Sequence, residues 1–208
     1  MRKIILAMVF GFALFLANCG APIVVKDKDV TENKNTLVLF DFEEEQEVKA
    51  LFKENGPEEG NKDFPVERST ENATSGKYSL KVVFPNEGTW PGVHFIKFNT
   101  DWSEYTYLKV DIFNPAKEVV PLNFSSADKD SGITAEDYFG DNKLRLNFAI
   151  KLRPGKNTLK LKIAGALVES DERSVNLKEM RRFALFLMDR PDNAVLYIDN
   201  IRLEKEAK

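Results

Sequence analysis

The chain of 208 residues contains one cysteine, one histidine and two tryptophans. A lone cysteine makes no intramolecular disulfide and no cysteine-rich zinc site, and a lone histidine gives neither a multi-histidine metal centre nor a separate base and ligand. Imidazole chemistry therefore rests on His94 alone. Neither sign of charge dominates: 30 Lys+Arg face 33 Asp+Glu, for a net charge of −3. That balance gives no basic field for a nucleic-acid backbone, so nucleic acid is not an expected partner. The sequence has no GxSxG elbow, no P-loop and no HExxH, and no enzyme is expected. Internal repeats and low-complexity segments are also missing. What remains is 43% hydrophobic residues in a length that suits one β-sandwich or barrel, or two small domains, and that buries a core without staples.

Met1-Arg2-Lys3 and the apolar run 4–17 form a basic start and a secretory core of about 14 residues, too short to span a bilayer. The run closes on Leu16-Ala17-Asn18-Cys19-Gly20, which resembles the bacterial lipoprotein signal. That resemblance implies cleavage before Cys19, N-terminal lipid on Cys19 with palmitate among its acyl chains, and a membrane held through the lipid anchor. Two or three chains at about 0.8 kcal/mol per buried CH2 make a durable anchor. Asn18 departs from the small residue of the strict motif and matches a relaxed form. Gly20 after the cysteine, rather than Asp, is similar to lipoproteins sent to the cell outer membrane. The alternative is an ordinary signal peptide with an incidental cysteine. Removing 1–18 takes away Arg2 and Lys3 and no acid, so 28 basic and 33 acidic residues leave −5. Residues 19–36 read as the lipidated cysteine and a polar tether, and 37–205 as one folded domain.

From Thr36 the apolar residues recur with period two, in runs broken by Gly, Pro, Asn and Asp, the signature of an all-β fold. Strands are expected at 37–42, 66–69, 79–85, 92–98, 107–114, 120–126, 144–152, 157–163, 182–188 and 194–203. Without helical crossovers they imply a two-sheet antiparallel β-sandwich. A weak helical pattern at 44–53 predicts a surface turn, and 175–180 predicts a short helix.

Five pieces, in order, carry a further resemblance: Leu39-Phe40-Asp41-Phe42-Glu43, Ser75-Gly76-Lys77-Tyr78-Ser79-Leu80, Asp101-Trp102-Ser103-Glu104-Tyr105 with the 108–115 strand, Leu152-Arg153-Pro154-Gly155-Lys156-Asn157-Thr158, and Tyr197-Ile198-Asp199-Asn200-Ile201. Together they resemble the galactose-binding-like jelly rolls found as carbohydrate-binding modules. The resemblance implies a structural calcium held by Asp41, Glu43 and Asp199 with carbonyls of the 75–79 loop, as two facing carboxylates repel unless a cation joins them. The alternative has Asp41 and Asp199 accepting turn amides, with Glu43 solvated.

Alternation in 107–114 leaves Tyr107, Lys109, Asp111 and Phe113 outward, and in 144–152 leaves Arg145 and Asn147 outward. If both faces belong to one sheet, Asp111, Arg145 and Asn147 form a hydrogen-bonding strip for sugar hydroxyls. Trp90 is the candidate stacking ring, with His94 beside it and Tyr138 or Phe139 from the 127–142 loop. Trp102 reads as a core plug, Trp90 is open to either reading, and Asp111 with Arg145 reads equally as a cross-strand ion pair. Asp128, Asp130, Glu136 and Asp137 are available carboxylates for glycoside hydrolysis, but an Asp- and Ser-rich loop is ordinarily just solvated. The expected function is a lipid-anchored cell-envelope protein whose non-catalytic module binds carbohydrate. The alternative is a structural or adhesive lipoprotein whose sandwich binds another envelope protein.

Overall fold

The computed structural model describes residues 35–56, 63–132, 145–170, 173–188 and 190–206. Its strands are β1 (Thr36–Phe40), β2 (Leu51–Glu54), β3 (Val66–Ser69), β4 (Ser79–Phe84), β5 (Gly92–Phe95), β6 (Tyr107–Asn114), β7 (Val120–Asp128), β8 (Leu146–Leu152), β9 (Gly155–Lys162), β10 (Met180–Phe186) and β11 (Ala194–Glu204). A five-residue helix, α1 (Glu45–Lys49), follows β1. One sheet has the order β3-β4-β11-β6-β9 with β1 also on β11; the other has the order β2-β5-β10-β7-β8. Every pairing between them is antiparallel. The all-β sandwich expected from the alternation is the observed fold.

The two inner faces meet in one core. Leu80, Val82, Phe84, Leu108, Val110, Ile112, Leu196, Ile198 and Leu203 come from the larger sheet, and Val93, Phe95, Leu122, Phe124, Phe183 and Leu185 from the smaller. Phe183 is its hub. Its ring stacks on Phe95 at 4.4 Å between centroids and lies 5.2 Å from Phe98, 5.8 Å from Trp102 and 6.1 Å from Phe124. Such ring pairs add to area burial through offset and edge geometry. Trp102 plugs the core as expected: it is fully buried and its Nε1 donates to the Asn99 carbonyl at 2.8 Å.

Two local expectations are corrected. The 44–53 segment is half helix, but Leu51–Glu54 is an edge strand laid on β5. Two adjacent apolar residues followed by Lys53 and Glu54 give no alternation to betray it. Residues 175–179 form no helix; Met180 opens β10. Beside a local turn bond, from Glu179 N to the Asn176 carbonyl at 3.2 Å, this segment is engaged from outside: Asn176 N donates to Asp128 Oδ2 at 2.6 Å and the Leu177 carbonyl accepts from Trp102 N at 2.7 Å. A segment whose backbone is engaged by its neighbours has no helical ladder to close.

Phe183→Ala is expected to lower stability by about 3–5 kcal/mol, the cost of a large aromatic removed from a closed core. Urea denaturation followed by tryptophan fluorescence measures it; a loss below about 1 kcal/mol would show that the ring is not the hub.

Candidate functional site

The strip expected from Asp111, Arg145 and Asn147 does not form. Strand β6 pairs with β11 and β9, whereas β8 pairs with β7, so their outward faces lie on different sheets. Alternation fixes which side chains share a face of one strand, but not the sheet to which the strand belongs. Asp111 and Arg145 accordingly make no cross-strand pair; the cation at Asp111 is Arg202, with Nη1 to Oδ2 at 3.0 Å.

Four candidates, His94, Asn147, Arg145 and Trp90, lie on or beside the outer face of the five-stranded sheet. A single register row crosses all five strands: Phe52, His94, Ala184, Ser125 and Asn147. It is about 19 Å long at the usual strand spacing. A second row holds Glu54, Gly92, Phe186, Asn123 and Ala149. Arg182, opposite Ala127, continues the face, and Arg145 directly precedes β8. Gly92 leaves room for Phe186, because a Cβ at that position would meet the Phe186 Cβ at 2.8 Å. The face is graded in exposure. Asn147, Ala149 and Lys151 are exposed, Phe52, Asn123 and Phe186 are half-buried, and His94, Ser125, Ala184, Arg182 and Arg145 are buried. Trp90 is half-buried at the sheet's rim, two residues before β5.

His94 lies in a strand, as the expected strand at 92–98 has it. It stands in β5, with Nε2 at 3.1 Å from Glu54 Oε2 and its ring edge-on to Phe52 at 5.7 Å. Burial pulls the imidazole below its ordinary value of 6.5; the Glu54 hydrogen bond opposes this, and the charges of Arg182 and Arg145 reinforce it. Asn147 donates its side-chain amide to Glu169. The Ser125 hydroxyl and both amide atoms of Asn55 make no hydrogen bond among the described residues. Sequence reasoning missed Ser125, Asn123, Arg182 and Glu54: a polar residue on one face of a short strand is ordinary, and only the register shows that these adjoin.

The carboxylates expected to hold calcium are distributed otherwise. Asp199 Oδ2 accepts from Thr74 N at 2.6 Å, Ser75 N at 2.9 Å and Thr74 Oγ1 at 3.0 Å, and Oδ1 accepts from Asn200 N at 2.6 Å. Glu43 Oε1 accepts from Lys77 N at 2.7 Å and Tyr78 N at 2.8 Å, and Asp41 Oδ1 accepts from Glu43 N at 3.2 Å. Glu43 is thus held by the turn, not solvated. A hard cation takes six to eight oxygen lone pairs, but here the loop turns N–H groups, not carbonyls, toward the acids. Among the described residues no three His, Cys, Asp or Glu are grouped to hold a metal, so this donor set does not fit calcium. Burial pushes the Asp199 carboxyl above its ordinary 3.8, against the pull of the Ser75, Thr74 and Asn200 donors. Thr74, the last residue of the sequon-like Asn72-Ala73-Thr74, is engaged in this network. Cys19, Tyr138, Phe139, Glu136 and Asp137 lie outside the described residues. Asp128 is taken by Arg173, with Nη1 at 2.7 Å and Nη2 at 2.9 Å.

No family model matches the chain, and no curated protein matches it. Solved structures do. A family 11 carbohydrate-binding module from Clostridium thermocellum, in complex with a β-1,3-1,4-mixed-linked tetrasaccharide, superposes with a TM-score of 0.62 at 15% identity, over 84% of this chain and 98% of that one. An exo-β-agarase matches with a TM-score of 0.60 at 17% identity, over 82% of this chain but 25% of the enzyme. The fold is therefore the jelly roll seen in carbohydrate-binding modules.

With its folded-state affinity for protons lowered, His94 binds a proton more readily in the unfolded chain. Its contribution to stability is complete above pH 6.5 and is lost as pH falls from there toward the lowered value. Thermal melts between pH 7.5 and 5.5 are expected to show a falling Tm in the native chain and a flatter profile in His94→Gln; parallel profiles would refute the assignment.

Proposed function

We propose that this protein is a non-catalytic carbohydrate-binding module carried on a lipid anchor at the cell envelope, with Cys19 acylated and 20–36 as its tether. The observation that carries the binding reading is the register row from Phe52 to Asn147. It places a ring, an imidazole, a hydroxyl and an amide along one sheet face, with Asn123, Phe186, Arg182 and Arg145 adjoining. Sugars require paired donors and acceptors for their hydroxyls and an apolar ring for their C–H faces. The exposed end at Asn147, with the half-buried Asn123 beside it, is where a glycan first makes contact, and Trp90 stands at the rim for stacking. Buried polar atoms without partners are rare in native proteins and are met by water or ligand; Ser125 has this character on the same row. The absence of a hydrolase motif, together with a likeness that spans almost all of a binding module but a quarter of an agarase, supports binding without catalysis. The anchor reading rests on the Cys19 motif. No helix among the described residues is long and apolar enough to cross a membrane.

The test of binding is a glycan array probed with the full chain in mild detergent. Retention of at least one oligosaccharide is expected, with Asn147→Ala and Trp90→Ala each reducing it about tenfold, the worth of one good contact. No retained glycan, or retention indifferent to both substitutions, overturns the reading. The anchor is tested separately by metabolic labelling with palmitate: label is expected on the native chain and absent from Cys19→Ala, and an unlabelled native chain rejects lipidation.

A further inference from the structure

The network at the middle of β11 has a built-in cation. Asp199 and Asp111 are register partners on adjacent strands, two carboxylates whose charges repel at this distance unless something lies between them. What lies there is protein. Asp111 Oδ2 accepts from Arg202 Nη1 at 3.0 Å, Asn200 Nδ2 at 2.9 Å and Thr74 Oγ1 at 3.3 Å, and Oδ1 accepts from Thr158 Oγ1 at 2.7 Å. Thr74 has one hydroxyl proton for its two acceptors, Asp111 and Asp199. The remaining donors still give each carboxylate at least three. Arg202 is held in turn: its Nη1 also donates to the Asn200 carbonyl at 2.8 Å and its Nε to Glu204 Oε1 at 3.0 Å. Lys109 Nζ balances Glu204 from the other side at 2.5 Å.

We infer that Arg202, with the amides of Thr74, Ser75 and Asn200, replaces a divalent cation in this clasp, so that the closure of the 70–78 loop on β11 is independent of calcium. The orientation of the backbone is the reason. Three amide dipoles present their positive ends to Asp199, and a cation seated on either oxygen would meet them head on. A guanidinium is always charged and offers five donors in a fixed fork, so one side chain neutralises Asp111 and ties the Asn200 carbonyl and Glu204 into the same unit. Glu43 repeats the logic at the other end of the loop. It accepts from Lys77 N and Tyr78 N, with Gly76 required because a Cβ there would lie 2.4 Å from Glu43 Oε1. Arg68 stacks on the Tyr78 ring at 3.8 Å and donates to the Glu43 carbonyl at 2.8 Å.

Thermal unfolding of the full chain in millimolar calcium and in excess chelator tests the inference. The two Tm values are expected to agree within about 1 °C, since a ligand that does not bind the folded state does not stabilise it. Arg202→Met is expected to lower Tm by about 5 °C or more, because one partner of a hydrogen-bonded ion pair is left alone, and calcium does not restore it. If that variant fails to fold, Asp111→Asn with Arg202→Met, which removes both charges, is expected to fold and to melt above Arg202→Met in either buffer. A calcium-dependent rise in the native Tm that Asp199→Asn abolishes would overturn the inference, as would an Arg202→Met Tm equal to the native one.

Discussion

Strand β11 is asked to pair with two strands along one edge. Strand β4 bonds to it over Ala194–Ile198 and β1 over Ile201–Glu204, while β6 runs along the opposite edge with an irregularity between Asp199 and Arg202. Between the start of the β4 pairing, at Leu80, and the end of the β1 pairing, at Phe40, the ladder has no strand to offer, and buried backbone groups must be met somehow. Asn200 takes a left-handed φ of 49°, a conformation that asparagine tolerates better than most residues. The Asp199 carboxylate then accepts the Asn200 amide and two amides from the 74–75 turn. A side chain thereby substitutes for a missing strand. The position of the 70–78 loop, and through it the seating of Glu43 after β1, follows from that substitution.

The same constraint divides the two outer faces. On the six-stranded sheet the polar side chains around Asp111 and Asp199 are consumed internally by Thr74, Thr158, Asn200, Arg202, Glu204 and Lys109. Tyr197 adds a hydrogen bond to Glu71, which pushes its phenol up to about 12 and ties the loop to β11 a second time. On the five-stranded sheet the polar groups are spread across the strands instead: Glu54 from β2, His94 from β5, Arg182 from β10, Asn123 and Ser125 from β7, and Asn147 from β8.

Sequence legibility follows these physical lines. Alternation and turn residues located ten of the strands, because burial of one face and a break in chain direction both write themselves into local composition. The turn at Arg153-Pro154-Gly155, where the chain passes from β8 in one sheet to β9 in the other, is an instance: Asn157 closes it, its Oδ1 accepting from Arg153 N and its Nδ2 donating to Arg153 O, and Gly155 supplies a φ of 83°. Strand β2 escaped because Leu51-Phe52-Lys53-Glu54 sets two apolar residues side by side before two charged ones and so shows no alternation. The union of Asp111 with Arg145 and Asn147 failed for a different reason. Sheet membership depends on long-range pairing, which no window of sequence contains. The calcium expectation turns on a third level. Asp41, Glu43 and Asp199 were visible as acids, but whether a loop presents carbonyls or amides to them is a property of its backbone torsions.

Polarity by itself therefore does not separate a ligand-binding face from a structural one in this fold; satisfaction does. An unmet buried donor or acceptor costs about 1–3 kcal/mol, and one with partners costs little. Around Asp199 and Asp111 all four carboxylate oxygens have donors from the chain, so a ligand there would have to displace bonds that already exist. Along the Phe52 to Asn147 row, the Ser125 hydroxyl has no partner among the described residues, Asn147 is exposed at the open end, and Phe52 and Phe186 leave apolar ring surface between polar groups. A sugar, which brings hydroxyls to the first kind of group and C–H faces to the second, gains contacts on this face without breaking the ladder beneath it.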